Sequence, residues 1–197
     1  MTSTENLEHK DVSFPPKHEE HRGVVTHSHV KKERIDYILD KFIFKPSDII
    51  VATYPRSGTL LTQEIVWQIK NRKIIQPGGD YGPMMTRFPF IDIDLSDLGL
   101  PNFLELLESR SEDSYRLIKT HMPYRSIYPR IKHVNKIIVV YRNPKDVATS
   151  LFHFANSLSA HHEGWPNNDW TQFYKHFTQG KVMYGSCFEW NQEWLKL

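Results

Sequence analysis

The sequence holds one cysteine, Cys187, among 197 residues. No internal disulfide can form, which excludes a cystine-stapled secreted scaffold and fits a reducing compartment. No apolar run approaches the roughly 20 residues that span a bilayer. The N-terminus is polar and carries acids, unlike a signal or transit peptide. The expectation is a cytoplasmic protein with no membrane partner. Charge of one sign is missing too: Lys and Arg number 25 and Asp and Glu 23, a formal net charge of +2. So small an excess gives no reason to expect nucleic acid, and any anion site must come from local placement of Arg and Lys. There is no internal repeat. Histidines crowd the first 30 residues, but without a cysteine partner or zinc-like spacing, so no metal is expected.

What remains is the composition of one globular domain, 39% hydrophobic and 24% charged, long enough for a sizeable core. Nine tyrosines and five tryptophans suit a core or pocket with aromatic walls.

One stretch organises the rest: Tyr54-Pro55-Arg56-Ser57-Gly58-Thr59. It follows the apolar run Ile49-Ile50-Val51-Ala52, which reads as a buried strand. It precedes Leu61, Ile65 and Ile69, spaced by four as in a helix. A strand, a tight turn and a helix start together form a site for phosphate, because the first helical N–H groups have no internal partner and carry partial positive charge. Gly58 lets the backbone approach an anion. Ser57 and Thr59 add hydroxyls, and Arg56 adds a planar cationic fork. The nucleotide loop G-x-x-x-x-G-K-[ST] is not matched, since its first Gly and its Lys are missing. An ordinary strand-to-helix turn, with Pro and Gly as punctuation, is the competing reading.

In order along the chain, residues 1–30 read as a polar, flexible arm and 31–197 as the folded domain. Ile35, Ile38, Leu39 and Phe42 mark an amphipathic helix within 31–44 that Pro46 ends. After the loop, a helix runs to about Lys70, then a loop through 71–81 and an irregular stretch over 83–101 that suits a binding loop or lid. A short helix follows over 103–107. Tyr115–Lys119 reads as a second strand. Lys136–Tyr141 reads as a third, apolar on both faces, as in a parallel sheet covered by helices. Asn143, Pro144 and Asp146 are suited to the cap, first position and first turn of the next helix. A loop is expected over 161–168, then helices around Trp170–Phe177 and from about Tyr184, the last carrying Trp190 and Trp194. Alternating strands and helices predict an α/β fold with a central parallel sheet flanked by helices. Ligands would gather at the carboxyl ends of the strands, where 53–59, 119–121 and Arg142 all fall. Arg142 with Ser150, two turns into its helix, forms a second candidate anion site; a surface ion pair and a solvated serine are the alternatives.

Three of these stretches together resemble the cytosolic sulfotransferase family. The run from Thr53 to Thr59 looks like its 5′-phosphosulfate loop. Lys119-Thr120-His121-Met122-Pro123 resembles its catalytic strand end, and the run from Tyr141 to Ser150 resembles its 3′-phosphate site. Tyr184-Gly185-Ser186 and the Trp190–Trp194 pair also resemble a helix of that family. The likeness covers nearly everything from about Asp36 to Leu197. It implies a P-loop-like sulfotransferase fold, incomplete at its C-terminus. It further implies a sulfotransferase that uses 3′-phosphoadenosine 5′-phosphosulfate (PAPS), without a metal, to sulfonate a hydroxyl or amine of a small aromatic or steroid-like acceptor. In that reading the donor is held by Arg56, Ser57, Gly58, Thr59, Leu60, Leu61, Arg142 and Ser150. His121 is the general base, its ordinary pKa of about 6.5 suiting neutral pH. Lys119 and Arg56 neutralise or orient charge at the transfer. Phe88, Phe90, Lys119, His121 and Phe154 form the acceptor site; for the three phenylalanines, core packing is the equal alternative.

The chain departs from the family pattern in places. Arg56 stands where most members have Lys, and Leu60 and Leu61 replace a Thr and a Trp, the Trp normally stacking on adenine. The closing R-K-G-x-x-G-D-W segment and the dimer motif are absent, so the expectation is a truncated domain without the family's possible homodimer contact. Two other readings stay open: a catalytically impaired variant that only binds nucleotide, and a P-loop nucleotide kinase.

Overall fold

In a computed structural model, residues 19–26, 29–72, 82–111, 114–159 and 169–197 are described. The expected loops over 161–168 and most of 71–81 lie outside them, as do residues 1–18.

The centre is a three-stranded parallel sheet. Strand β3 (Ile49–Thr53) lies between β4 (Leu117–Thr120) and β5 (Lys136–Val140). Ile49 is opposite Leu117 on one side and Lys136 on the other, and Ala52 is opposite Thr120 and Val139. All five residues of β3 are buried, which explains its unbroken β-branched and apolar run. Period two divides that run between two cores. Ile50 and Ala52 enter the large cluster with Ile118, Trp190 and Trp194, while Ile49 and Val51 face Val66, Phe88 and Leu117. β5 is an edge strand and mostly half-buried rather than covered on both faces.

The N-terminal side is more tied down than the expected arm. β1 (Glu19–His21) and β2 (Val24–Thr26) form an antiparallel hairpin through Arg22-Gly23. Both turn residues have positive φ, 50° and 82°, the geometry a two-residue hairpin turn needs. Ser126 Oγ donates to the Arg22 carbonyl at 2.9 Å, which ties the hairpin to the body. Next comes α1 (Lys32–Asp36), which widens into a π-helical turn over Tyr37–Lys41. Its residues Ile35, Ile38, Leu39 and Phe42 are all buried, as their spacing predicts.

Helix α2 (Thr59–Asn71) follows β3, as the spacing predicts, but the stripe that marks it in the sequence faces outward. The residues spaced by four, Leu61, Ile65 and Ile69, are 68%, 48% and 72% exposed. The buried residues are Thr59, Gln63 and Val66. A short helix α3 (Met84–Arg87) and a 3-10 turn over Ser96–Leu98 interrupt the stretch read as irregular, and α4 (Phe103–Glu108) forms where a short helix is expected. α5 (Tyr124–Ile131) links β4 to β5, and α6 (Pro144–Ser159) follows β5. Asn143 Oδ1 accepts the Lys145 N–H at 3.0 Å, the expected cap. α7 (Trp170–Thr178) and α8 (Cys187–Trp194) complete the described fold. From α8, Trp190 Nε1 donates to the His121 carbonyl at 2.9 Å and Trp194 Nε1 to the Met122 carbonyl at 3.2 Å. These two indoles fix the chain just past the end of β4.

Candidate functional site

The carboxyl ends of β3, β4 and β5 open on a cavity of about 500 Å³. Its wall includes Arg56, Gly58, Thr59, Leu60, Leu61, Phe90, Lys119, His121, Arg142, Ser150 and Phe154. Parallel pairing makes this convergence possible, because three strands running the same way finish on the same side. Two expected members are elsewhere. Phe88 is fully buried with Ile49, Val51 and Leu117 in the smaller core, so the acceptor role assigned to it does not hold. It closes helix Met84–Arg87, whereas Phe90 bridges to Lys119, so the two rings do not share one strand and strand alternation does not set them on one face. Ser57 is 5% exposed and not part of the cavity wall; its amide donates back to the Tyr54 carbonyl.

The loop takes its shape from three features. Tyr54 is fully buried, and its hydroxyl donates to the Gly185 carbonyl at 2.7 Å. Arg56 has φ of 68° and Gly58 has φ of 103° at the cap of α2, a conformation open to glycine but strained with a side chain. A Cβ on Gly58 would meet nothing within 4 Å, so the space in front of the helix is left clear for a ligand. The first-turn amides of α2 face it without intrahelical partners.

Arg56 does not point at the end of β4. Its Nε donates to Ser150 Oγ at 3.1 Å, and its guanidinium carbon is 4.9 Å from the Phe154 ring centre. Arg142 Nη1 donates to the Arg56 carbonyl at 2.9 Å. The two anion sites expected from the sequence are therefore joined by Arg56 into one cationic wall.

His121 is 6% exposed, between the rings of Phe90 at 4.9 Å and Tyr184 at 5.2 Å. Its Nδ1 is 2.6 Å from the Thr53 carbonyl oxygen. A carbonyl can only accept, so Nδ1 carries the proton and donates. In the neutral ring the lone pair is then on Nε2, the arrangement a base requires. Thr53 Oγ1, 3.1 Å from Nδ1, also bonds Thr59 Oγ1 at 2.7 Å, linking the imidazole to the anion loop. Lys119 Nζ lies 3.7 Å from the Phe90 ring centre. Burial drives the Lys119 pKa down to about 8, although the charge of Asp92 opposes the shift.

Sequence reasoning missed several wall residues: His29, Ile93, Leu95, Met183 and Tyr184. His29 and Ile93 carry no local signal, since tertiary folding alone brings them here. Tyr184 stood in a recognised motif, but its role was not legible. No acid is found among the described residues of the wall. Nor do the described residues contain a group of three His, Cys, Asp or Glu placed to hold a metal. None of the described helices is long and apolar enough to cross a membrane.

The profile of the family described as "Sulfotransferase domain" matches residues 46–197. The dog protein "Sulfotransferase 1A1" is 36% identical over 167 residues, covering 81% of this chain and 52% of that protein. The mouse "Sulfotransferase 1E1" is 29% identical over 189 residues, covering 93% and 60%. Among solved structures, mouse sulfotransferase SULT7A1 complexed with PAP aligns with a TM-score of 0.66 at 26% identity, covering 91% of this chain and 57% of that one. Retinol dehydratase in a complex with retinol and PAP aligns with a TM-score of 0.69 at 25% identity, covering 88% and 57%. The chain spans about half the length of the curated relatives it matches.

Proposed function

The chain belongs to the sulfotransferase family, and we propose that it takes the sulfonate group of PAPS and transfers it to a hydroxyl or amine of a small aromatic or steroid-like acceptor in the cytoplasm. One observation carries the reading: a single cavity with no described acid on its wall brings the α2 N-terminus, Arg56, Arg142 and Ser150 together with Lys119 and His121. A donor with phosphates at two ends needs cations at two places, and the wall offers them.

Roles follow from position. The first-turn amides of α2, with Thr59, hold the 5′-phosphosulfate in the space left clear at Gly58. Arg142 and Ser150 hold the 3′-phosphate, through charge-assisted hydrogen bonds. His121 takes the acceptor proton at Nε2. Lys119 presents its ammonium to the oxygens on which charge develops, inside a partly desolvated site where that charge counts for more. Phe90 and Phe154 flank the acceptor with apolar surface. Two of the structural neighbours are described in complexes containing PAP, the desulfonated donor, which supports the choice of nucleotide.

The test has two parts. Calorimetry should find PAP bound in preference to ATP with magnesium; the reverse preference would favour the kinase reading. Labelled PAPS should then pass its sulfonate to a simple phenol. Binding without transfer would leave a nucleotide-binding variant.

A further inference from the structure

Behind the cavity floor is a carboxylate that the proposed chemistry does not use. Asp92 is fully buried. One of its oxygens accepts the Thr120 hydroxyl at 2.7 Å, and the other accepts the His121 amide at 2.6 Å. The Thr120 hydroxyl in turn accepts the Met122 amide at 3.1 Å. The segment carrying Asp92 is pinned along β4 as well: Lys119 N donates to the Pro89 carbonyl at 2.9 Å and Ile91 N to the Lys119 carbonyl at 3.1 Å. Asp92 thus holds the end of β4, from which both Lys119 and His121 reach the cavity.

We propose that Asp92 is the positioning residue of this site: its buried carboxylate fixes the end of β4 and sets the field in which Lys119 and His121 act. The inference rests on the sulfotransferase reading for its catalytic meaning, though not for its physical test.

The surroundings are restrictive. From its own segment Asp94 faces solvent-side partners at Ser96. From α1, Arg34 donates to the Ile91 carbonyl at 2.6 Å and feels the charges of Asp94 and Asp92. From the turn before α8, the fully buried Tyr184 hydroxyl interacts with Asp92, and that residue has a positive φ of 63°. Positive φ at a bulky residue is costly and persists only where the surroundings enforce it. Here it is enforced by Tyr54, whose hydroxyl holds the Gly185 carbonyl next door. From β4 come Lys119 itself and the His121 amide. Burial raises the Asp92 pKa to about 6, so the group is ionised at neutral pH and its attraction raises that of Lys119.

Removing the charge while keeping the shape isolates this role. In Asp92→Asn, Lys119 loses its countercharge and its titration moves below about 8. The shift should be about one pH unit. It is read directly by NMR of the chain labelled at lysine Cε, with Lys119 assigned by its loss in Lys119→Met. Asp92→Glu, which keeps the charge, should restore most of the shift. PAP affinity should stay within about twofold, since Asp92 touches no proposed donor contact. An unmoved Lys119 titration in Asp92→Asn overturns the inference, as does an equal displacement in Asp92→Glu. If Asp92→Asn loses its fold, the parent provides the second reading: the Lys119 Cε signal should show a further inflection near pH 6, where Asp92 takes up its proton, and a signal that moves in a single step counts against the inference. Where the parent shows the titration but transfers no sulfonate, the proposed reaction falls and the role of Asp92 stands.

Discussion

Asp48 and Arg116 form a buried pair at the amino ends of β3 and β4, the end of the sheet opposite the cavity. Their side chains are 0% and 2% exposed. Arg116 Nε and Nη2 meet the two carboxylate oxygens at 2.7 Å each. Nη2 also donates to the Ile43 carbonyl at 2.7 Å, and Asp48 accepts the Lys45 amide at 2.7 Å. The pair is thus the knot that ties the exit of the π-helical turn to the first residues of both strands. Asp48→Asn leaves the guanidinium buried with its charge uncompensated. Breaking a buried pair from one side costs about 3–5 kcal/mol. In a chain of this length each kcal/mol lowers Tm by about 2–4 °C, so the drop should be about 6–20 °C by calorimetry. Replacing both partners together, Asp48→Leu with Arg116→Met, removes the orphaned charge and should recover most of the loss. PAP affinity of the folded fraction should change less than about twofold, since no ligand contact is touched. A drop in Tm under about 2 °C, or a double variant no more stable than Asp48→Asn, would refute the reasoning.

Three further predictions concern the cavity. Arg142→Ala should weaken PAP by about 1.5–3 kcal/mol, the loss of a charged hydrogen bond; unchanged affinity in calorimetry would remove Arg142 from the 3′-phosphate site. His121→Ala should abolish sulfonate transfer while PAP affinity stays within about twofold, and an active variant would exclude His121 as base. Lys119 has a folded pKa lowered from 10.5 to about 8. The unfolded chain therefore binds the extra proton between those values, and stability from this group is lowest below pH 8 and rises toward 10.5. The Tm of Lys119→Met minus that of the parent should accordingly fall as pH rises through this window; a constant difference would mean Lys119 is not desolvated.

The strand-loop-helix core was legible because its signals are local. β3 and β5 announce themselves by runs of β-branched residues, and the anion loop by a small-residue turn between a strand and a helix start. α2 shows where local pattern stops. Its i, i+4, i+8 leucine and isoleucines make a stripe as regular as any buried face, but periodicity says only that a stripe exists, not which side of the helix meets the sheet. The side is set by the loop. Thr59 turns inward to bond Thr53, and this rotates Gln63 and Val66 to the interior one and two turns later, leaving Leu61, Ile65 and Ile69 outside. The same limit hid Phe88. A three-residue motif, Phe88-Pro89-Phe90, looks uniform in sequence, yet Phe88 closes a helix while Phe90 bridges to Lys119, and the two rings part between the core and the cavity. Asp92 was illegible for a different reason. Nothing about an isolated aspartate in an irregular stretch marks it as fully buried; only the contact with β4 makes it costly, and a buried charge is kept where something depends on its field. Residues that read the ligand end strands and turns and so leave local traces, whereas residues that position them are defined by what lies across the fold.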